Sequence, residues 1–166
     1  MDNNSKIGNK AEKLLFLKKE GFNVPDLFIL PKHLSEKEVL ITAGPTYEAI
    51  DMVRFIGNRS SGKMGGALAL ECANNGAKVK LVLGPSHIQV KHSNITIYKV
   101  ESASEMLKIV NRYFKSSDIS IFTAAVADYT PKVFSRNKIK KSNNNLTISC
   151  IKTTDILSKM ALKKSR

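Results

Sequence analysis

The chain has 166 residues, of which 42% are hydrophobic, and a net charge of +13. That length and apolar content suit one globular domain with a core rather than a disordered chain. No apolar run approaches the 18 residues of a membrane span, and MDNNSKIGNKAEK lacks the apolar stretch of a secretory signal, so no membrane association is expected. Cys72 and Cys150 lie far apart in apolar surroundings and suggest neither a disulfide framework nor a metal cluster. A reduced, cytoplasmic setting and no metal-ligating residues are the expectation. The charge is concentrated at one end: residues 130–166 carry ten Lys or Arg against one acid, Asp155. A basic tail can serve nucleic acid, but this one has a single aromatic, Phe134, for stacking. The plain reading is a Lys- and Asn-rich composition with a solvated face; a nucleotide and a phosphorylated substrate would also favour such a field, and no nucleic-acid partner is expected.

In chain order, residues 1–38 read as a leader of unassigned origin, with helical spacing at Ala11, Leu14, Leu15 and Leu17 and a stop at Gly21. Val39–Thr42 is a short apolar strand ending at Gly44-Pro45. Ser61–Asn75 has helical spacing and a stop at Asn75-Gly76, and Lys78–Leu83 and Ile95–Val100 are strands. Ala103–Phe114 is an amphipathic helix with Met106, Leu107, Val110 and Phe114 on one face. Ile119–Ala125 is the most apolar strand and is expected at the centre of the sheet. Lys138-Ile139 and Leu146–Ile151 flank a turn at Asn143–Asn145, and Asp155 starts a last helix to Leu162. This order predicts an α/β fold, a Rossmann-like doubly wound and mainly parallel sheet, incomplete at its C-terminal end. Ligands of such sheets bind beyond the carboxyl ends of the strands, where Gly44 onward, Gly84-Pro85 and Ala124–Asp128 converge.

The loop before the first helix is the richest in chemistry. It sets Asn58, Arg59, Ser60, Ser61 and Lys63 around Gly57 and Gly62. Backbone N–H groups and a helix N-terminus in this order suit a phosphate, the alternative being a helix start capped by Ser60 or Ser61. Gly57–Lys63 spells G-x-x-x-x-G-K, but Met64 stands where a P-loop needs a hydroxyl for Mg²⁺. No G-x-G-x-x-G and no Tyr-x-x-x-Lys pair is present, which disfavours an NAD(P)-binding oxidoreductase. His33, His87 and His92 have no partners at catalytic spacing and read as surface residues.

The words LITAGPTYEAIDMVRFIGNRSSGKMG, TAAVADYTPK (123–132), KIKK (138–141) and TTDIL (153–157), in this order, resemble phosphopantothenoylcysteine synthetase. This enzyme, also called phosphopantothenate–cysteine ligase, is usually the C-terminal half of a bifunctional coenzyme A biosynthesis protein. The resemblance covers residues 39–166. It departs from the family at Tyr47 (usually Arg), Ala49 and Met52 (usually Pro), Gly57 (usually Ser) and Thr153-Thr154 (usually Asn-Pro). It implies ligation of 4′-phosphopantothenate to cysteine through an acyl-cytidylate, with CTP and Mg²⁺, in a homodimer alongside a decarboxylase domain. By this resemblance Asn58 contacts the acyl-nucleotide and supports its conversion with cysteine. Ser60, Ser61, Gly62 and Lys63 hold the substrate phosphate, and Phe122, Thr123 and Ala124 line the nucleotide pocket. Asp128 takes the ribose, the base or a Mg²⁺-bound phosphate. Lys138 is a mobile lysine for the triphosphate, and Thr154, Asp155, Ile156 and Leu157 form a base-recognising turn. Lys140 and Lys141 are expected to be solvated. The family continues beyond the position of Arg166, so the resemblance implies a partial domain. A non-catalytic nucleotide- or phosphate-binding fragment is the alternative reading.

Overall fold

The structure, a computed structural model, describes residues 34–141 and 145–164. The leader helix at Ala11–Leu17, His33 and the turn at Asn143 and Asn144 lie outside the described residues. Strand β1 (Glu38–Ala43) is followed by two short strands, β2 (Tyr47–Ala49) and β3 (Phe55–Gly57), and by helix α1 (Lys63–Asn74). Then come β4 (Lys78–Leu83), β5 (Ile95–Lys99), α2 (Ala103–Tyr113) with a 3₁₀ turn at Phe114–Ser116, and β6 (Ile119–Phe122). The chain goes on to β7 (Tyr129–Pro131), β8 (Cys150–Lys152) and α3 (Ile156–Lys164).

Four strands form one parallel sheet in the order β5-β4-β1-β6. From β1 the chain winds outward through α1 to β4 and β5, then α2 carries it back across to β6 on the far side of β1. The fold is therefore the α/β, Rossmann-like doubly wound sheet expected from the sequence, with its change of direction between β1 and β6. Alternation along the strands assigns the layers. Leu40 and Val82 join Met106 and Val110 of α2 and Ile156 and Met160 of α3 in one buried cluster. The opposite face presents Ala43 to α1, which buries Gly65, Ala69, Cys72 and Ala73. α2 starts with a cap: the Ser102 hydroxyl accepts from Glu105 N–H (3.2 Å), and Glu105 reaches back to Glu101 N–H (2.7 Å).

Three elements differ from the sequence expectation. The strand beginning at Ile119 stops at Phe122 and lies at an edge of the sheet, not its centre. All four of its residues are only half-buried, with Phe122 packed against the buried cluster of α2 and α3, and position in the sheet is set by the crossover. Of the stretch Leu146–Ile151 only Cys150 and Ile151 enter a strand, in an antiparallel ladder of β7 with β8, Tyr129↔Lys152 to Pro131↔Cys150, that the sequence reading did not contain. Ile139 is instead taken up by side chains of an unforeseen hairpin, β2–β3.

That hairpin is turned by Asp51, whose Oδ1 accepts from Val53 N–H (2.8 Å) and Arg54 N–H (2.9 Å). Its Oδ2 accepts from the Arg54 guanidinium (Nε at 3.0 Å, Nη2 at 2.5 Å) and from Ile139 N–H (3.0 Å). The side chain is wholly shielded from solvent. The guanidinium first, and the Ile139 N–H next, hold its carboxyl well below the usual carboxylate range, against the opposing effect of burial. Two of the family departures meet here. Tyr47 is paired with Gly57 and stacks on Phe55 with ring centres 3.9 Å apart. A Cβ on Gly57 would lie 2.6 Å from Tyr47 Cδ1, so the ring in place of Arg needs the glycine in place of Ser.

Gly57→Ser is therefore expected to destabilise the chain by about 1–3 kcal/mol, the usual cost of overpacking. In a Tyr47→Ala background the cost should be less than half as large by urea denaturation. An undiminished cost would instead point to the Thr46 carbonyl, 3.0 Å from the same Cβ. Asp51→Asn should give a pH-dependent loss. Because the folded pKa is depressed, the carboxylate's stabilisation is complete above pH ~4, its unfolded value, and is lost as pH falls toward the folded value. The gap between parent and variant should be widest at neutral pH and narrow below pH ~4, whereas a gap that stays constant across that range would show that the charge is not what stabilises.

Candidate functional site at the carboxyl edge of the sheet

At the carboxyl end of β1 the chain runs through Gly44, Pro45 and Thr46 beside the segment that leaves β6. Ala125 N–H donates to Gly44 O (2.8 Å), and Ala127 N–H donates to the Thr46 hydroxyl (2.9 Å). The Thr123 hydroxyl donates to Thr42 O (2.7 Å), and Ala124 N–H reaches the Thr42 hydroxyl (3.4 Å). Thr123 is thereby turned toward α1: a Cβ on Gly65, in the first turn of α1, would lie 2.6 Å from its Oγ1.

The two most distinctive words of the sequence do converge, as the sheet topology predicts. Asn58 Nδ2 donates to Val126 O (2.9 Å) and Ala125 O (3.4 Å), joining the NRSSGKMG loop to the AAVADY loop. The amide thus spends its donor on the protein, a tethering role that spacing did not suggest. Ser60 and Ser61 are not helix caps. The N-cap is Gly62, at φ 73°, with no side-chain cap. The Ser60 hydroxyl accepts from Gly62 N–H, and the Ser61 hydroxyl from Lys63 N–H, each at a long 3.4 Å. The first intrahelical bond runs from Gly66 N–H to Gly62 O (3.0 Å), so the N–H groups of the preceding turn face outward, as at any helix start. No acid lies in that turn, and Lys63 is exposed beside it. This end of α1 can accept an anion on geometric and electrostatic grounds.

On the other side of β6 lies a cavity of about 750 Å³. Its walls include Phe122, Ala124, Asp128, Thr154, Asp155, Ile156 and Leu157, seven of the predicted nucleotide-site residues. Thr42, Met106, Tyr129 and Lys152 complete much of the rest. Sequence reasoning missed Lys152 and Tyr129 because the β7–β8 pairing that brings them together joins residues about twenty positions apart, and a turn signal at Asn143–Asn145 does not say which flanking residues pair. The pairing is locked at Thr153, whose N–H donates to Asp128 O (2.9 Å) and whose hydroxyl donates to Ala127 O (2.6 Å).

Asp155 caps α3. Its carboxylate accepts from Ser158 N–H (2.9 Å) and Ser158 Oγ (2.7 Å), bonds that lower its pKa. It is committed to the helix, as its position before Ile156 allowed. Asp128 is exposed and its carboxylate has no hydrogen bond among the described residues, which leaves the carboxylate available to a ligand. Lys138, which is exposed, lies outside the cavity wall, and so do the half-buried Thr123 and the Asn58–Lys63 loop. One further group was not foreseen: the Ser86 hydroxyl, in the loop after β4, is buried without a hydrogen-bond partner among the described residues. Among the described residues no cluster of three or more His, Cys, Asp or Glu could hold a metal ion. Cys72 is buried, Cys150 is exposed, and both are free.

Comparison with known proteins agrees with the sequence words. The family described as the DNA/pantothenate metabolism flavoprotein C-terminal domain matches residues 34–166, starting at the buried Leu34 rather than at Val39. The chain is 45% identical over 131 residues to the coenzyme A biosynthesis bifunctional protein CoaBC of Bacillus subtilis strain 168. That alignment covers 79% of this chain and 32% of the relative. It is 48% identical over 136 residues to CoaBC of Vibrio cholerae serotype O1, covering 81% and 34%. The chain thus spans about a third of the length of these curated relatives. The crystal structure of the C-terminal domain of CoaBC superposes with a TM-score of 0.70 at 42% identity, covering 81% of this chain and 62% of that one. With the doubly wound sheet, the joined loops and the cavity in common with what its sequence words imply, the chain belongs to the family of the DNA/pantothenate metabolism flavoprotein C-terminal domain.

Proposed function

We propose that this chain supplies the phosphate- and nucleotide-binding part of a phosphopantothenate–cysteine ligase of coenzyme A biosynthesis. The observation that carries the reading is the bond from Asn58 to Val126 and Ala125. It joins the α1 N-terminus, fit for a phosphate, to the rim of a cavity large enough for a nucleotide. The CoaBC relatives support the pathway.

In the proposed reaction the carboxylate of 4′-phosphopantothenate attacks the α-phosphorus of CTP and pyrophosphate leaves. The amine of cysteine then attacks the acyl carbon of the cytidylate, loses a proton, and CMP leaves. A free carboxylate would have to expel oxide; the nucleotidyl group makes CMP the leaving group instead. The protein's task is to align the groups and offset phosphate charge. Ser60, Ser61, Gly62 and Lys63 would bind the pantothenate phosphate at the start of α1. The backbone of Phe122, Thr123 and Ala124 and the turn Thr154–Leu157 would enclose the nucleoside. Lys138 would reach the triphosphate, and Lys152 adds a cation at the cavity wall. Mg²⁺ often binds through one or two carboxylates together with substrate phosphates, and the unengaged carboxylate of Asp128 fits such a role. Bound there with the triphosphate, the ion would neutralise phosphate charge.

The same reading proposes a homodimer and, in the longer relatives, a partner decarboxylase domain. Among the described residues no helix is long and apolar enough to cross a membrane; a cytoplasmic location is part of the proposal.

Calorimetric titration should show CTP bound at least about tenfold tighter than NADP, a difference of roughly 1.4 kcal/mol. NADP binding as tight as CTP would overturn the ligase reading. Asn58→Asp should impair amide formation from the acyl-nucleotide more than pyrophosphate release. It replaces a donor by a charged acceptor facing two carbonyl oxygens and the neighbouring phosphates. Equal losses in both half-reactions, measured with pyrophosphate-release and product assays, would make Asn58 a structural tether only.

A further inference from the structure

We propose that Asp51, together with Arg54, is a positioning residue for Lys138: a buried carboxylate–guanidinium clamp that holds the lysine's backbone against the β2–β3 hairpin. The inference rests on the proposed role of Lys138 at the triphosphate. Lys138 itself is exposed, but both flanks of its backbone are fastened. On one side Ser135 N–H donates to Ile50 O (3.0 Å), and the Ser135 hydroxyl closes onto Asn137 O (2.7 Å). On the other, Ile139 N–H donates to Asp51 Oδ2 (3.0 Å), and Ile139 O accepts from Arg54 Nη2 (2.9 Å). The residue after the lysine therefore has both its backbone groups bound by one ion pair.

This arrangement is more than a loop lying on a surface. Asp51 and Arg54 lie more than eighty residues away in sequence, so the local chain cannot supply the contact. The Asp51 carboxylate is fully shielded and satisfied by five N–H donors, and its ion pair leaves no uncompensated charge to compete with Lys138 for a phosphate. Arg54 grips Asp51 Oδ2 through both Nε and Nη2, and Nη2 donates to Ile139 O as well, an arrangement that a point cation reproduces only in part. From Arg54 the hairpin continues through β3 to Asn58. One clamp thus fixes Lys138 relative to the Asn58 loop while leaving its side chain free to swing. The result is a mobile amine on an immobile anchor, which reduces the conformations the lysine must give up when it meets a ligand.

A double-mutant cycle on the 166-residue chain tests this, with CTP as the probe. Asp51→Asn and Lys138→Ala should each weaken CTP binding about tenfold, and the double variant should lose no more than about twofold beyond Lys138→Ala alone. Additive losses would overturn the positioning role, because a merely structural Asp51 would act equally with or without the lysine. If Lys138→Ala binds CTP like the parent, the proposal falls together with the role given to Lys138. A second measurement needs no ligand. Amide hydrogen exchange at Ile139 should rise about tenfold or more in Asp51→Asn, with Leu40 and Leu81 in the sheet unchanged. Unchanged exchange at Ile139 overturns the clamp even if CTP binding is normal. A parent chain that binds no CTP would overturn the functional reading, and the exchange result would then decide the clamp. Should Asp51→Asn fail to fold, Arg54→Lys takes its place in both arms, since it keeps the charge and removes the fork.

Discussion

The carboxyl edge of the sheet depends on how closely the backbone leaving β1 is approached by its neighbours. A Cβ on Gly84, at the end of β4, would lie 1.7 Å from Pro45 O. One on Gly65, in the first turn of α1, would lie 2.4 Å from Ala43 Cβ and 2.6 Å from Thr123 Oγ1. No side chain fits at either position. This contact lets the segment 44–46 run alongside 123–127, and it presses the start of α1 against the gap between β1 and β6. The change of winding direction therefore becomes a site rather than only a topological event.

Around that contact the polar side chains divide into two groups. Asp51, Asn58, Thr123, Thr153 and Asp155 spend their hydrogen bonds on the backbone of other segments or on a helix start. They are the ties that turn separate loops into one edge, and an unpaired group of this kind would cost more than the bond itself contributes. Lys63, Asp128, Lys138 and Lys152 are exposed around the same edge. Three of these four are cations, in keeping with the basic balance of residues 130–166. The field they generate favours anions, and fixed ties beneath them limit how far the charges must reorganise when an anion arrives.

The tyrosine at position 47 shows how the family pattern can change without loss of the fold. Where the resemblance implies an Arg and a Ser, this chain has an aromatic ring and a glycine directly across the hairpin. The ring stacks on Phe55 and fills the space above Gly57, so two departures that look independent in sequence are a single packing event. No comparable partner in the structure accounts for Ala49 or Met52 in place of proline.

What the sequence determined by itself was local. Hydrophobic periodicity gave β1, β4, β5 and α2 to within a residue or two, because burial on a sheet face or a helix stripe is written at spacings of two and three to four. The cap at Asp155 and the stop at Asn75-Gly76 were legible because a cap bonds backbone three residues on and a glycine takes a positive φ, both short-range effects, and the loop words carried the family. Tertiary structure alone decided the edge position of β6, the pairing of β7 with β8, the role of Asn58 as a tether, and the tie of Ile139 to Asp51 and Arg54. Each of these joins residues distant along the chain through backbone carbonyls and N–H groups. Every residue type but proline carries both groups, so which ones meet leaves no mark in the order of side chains.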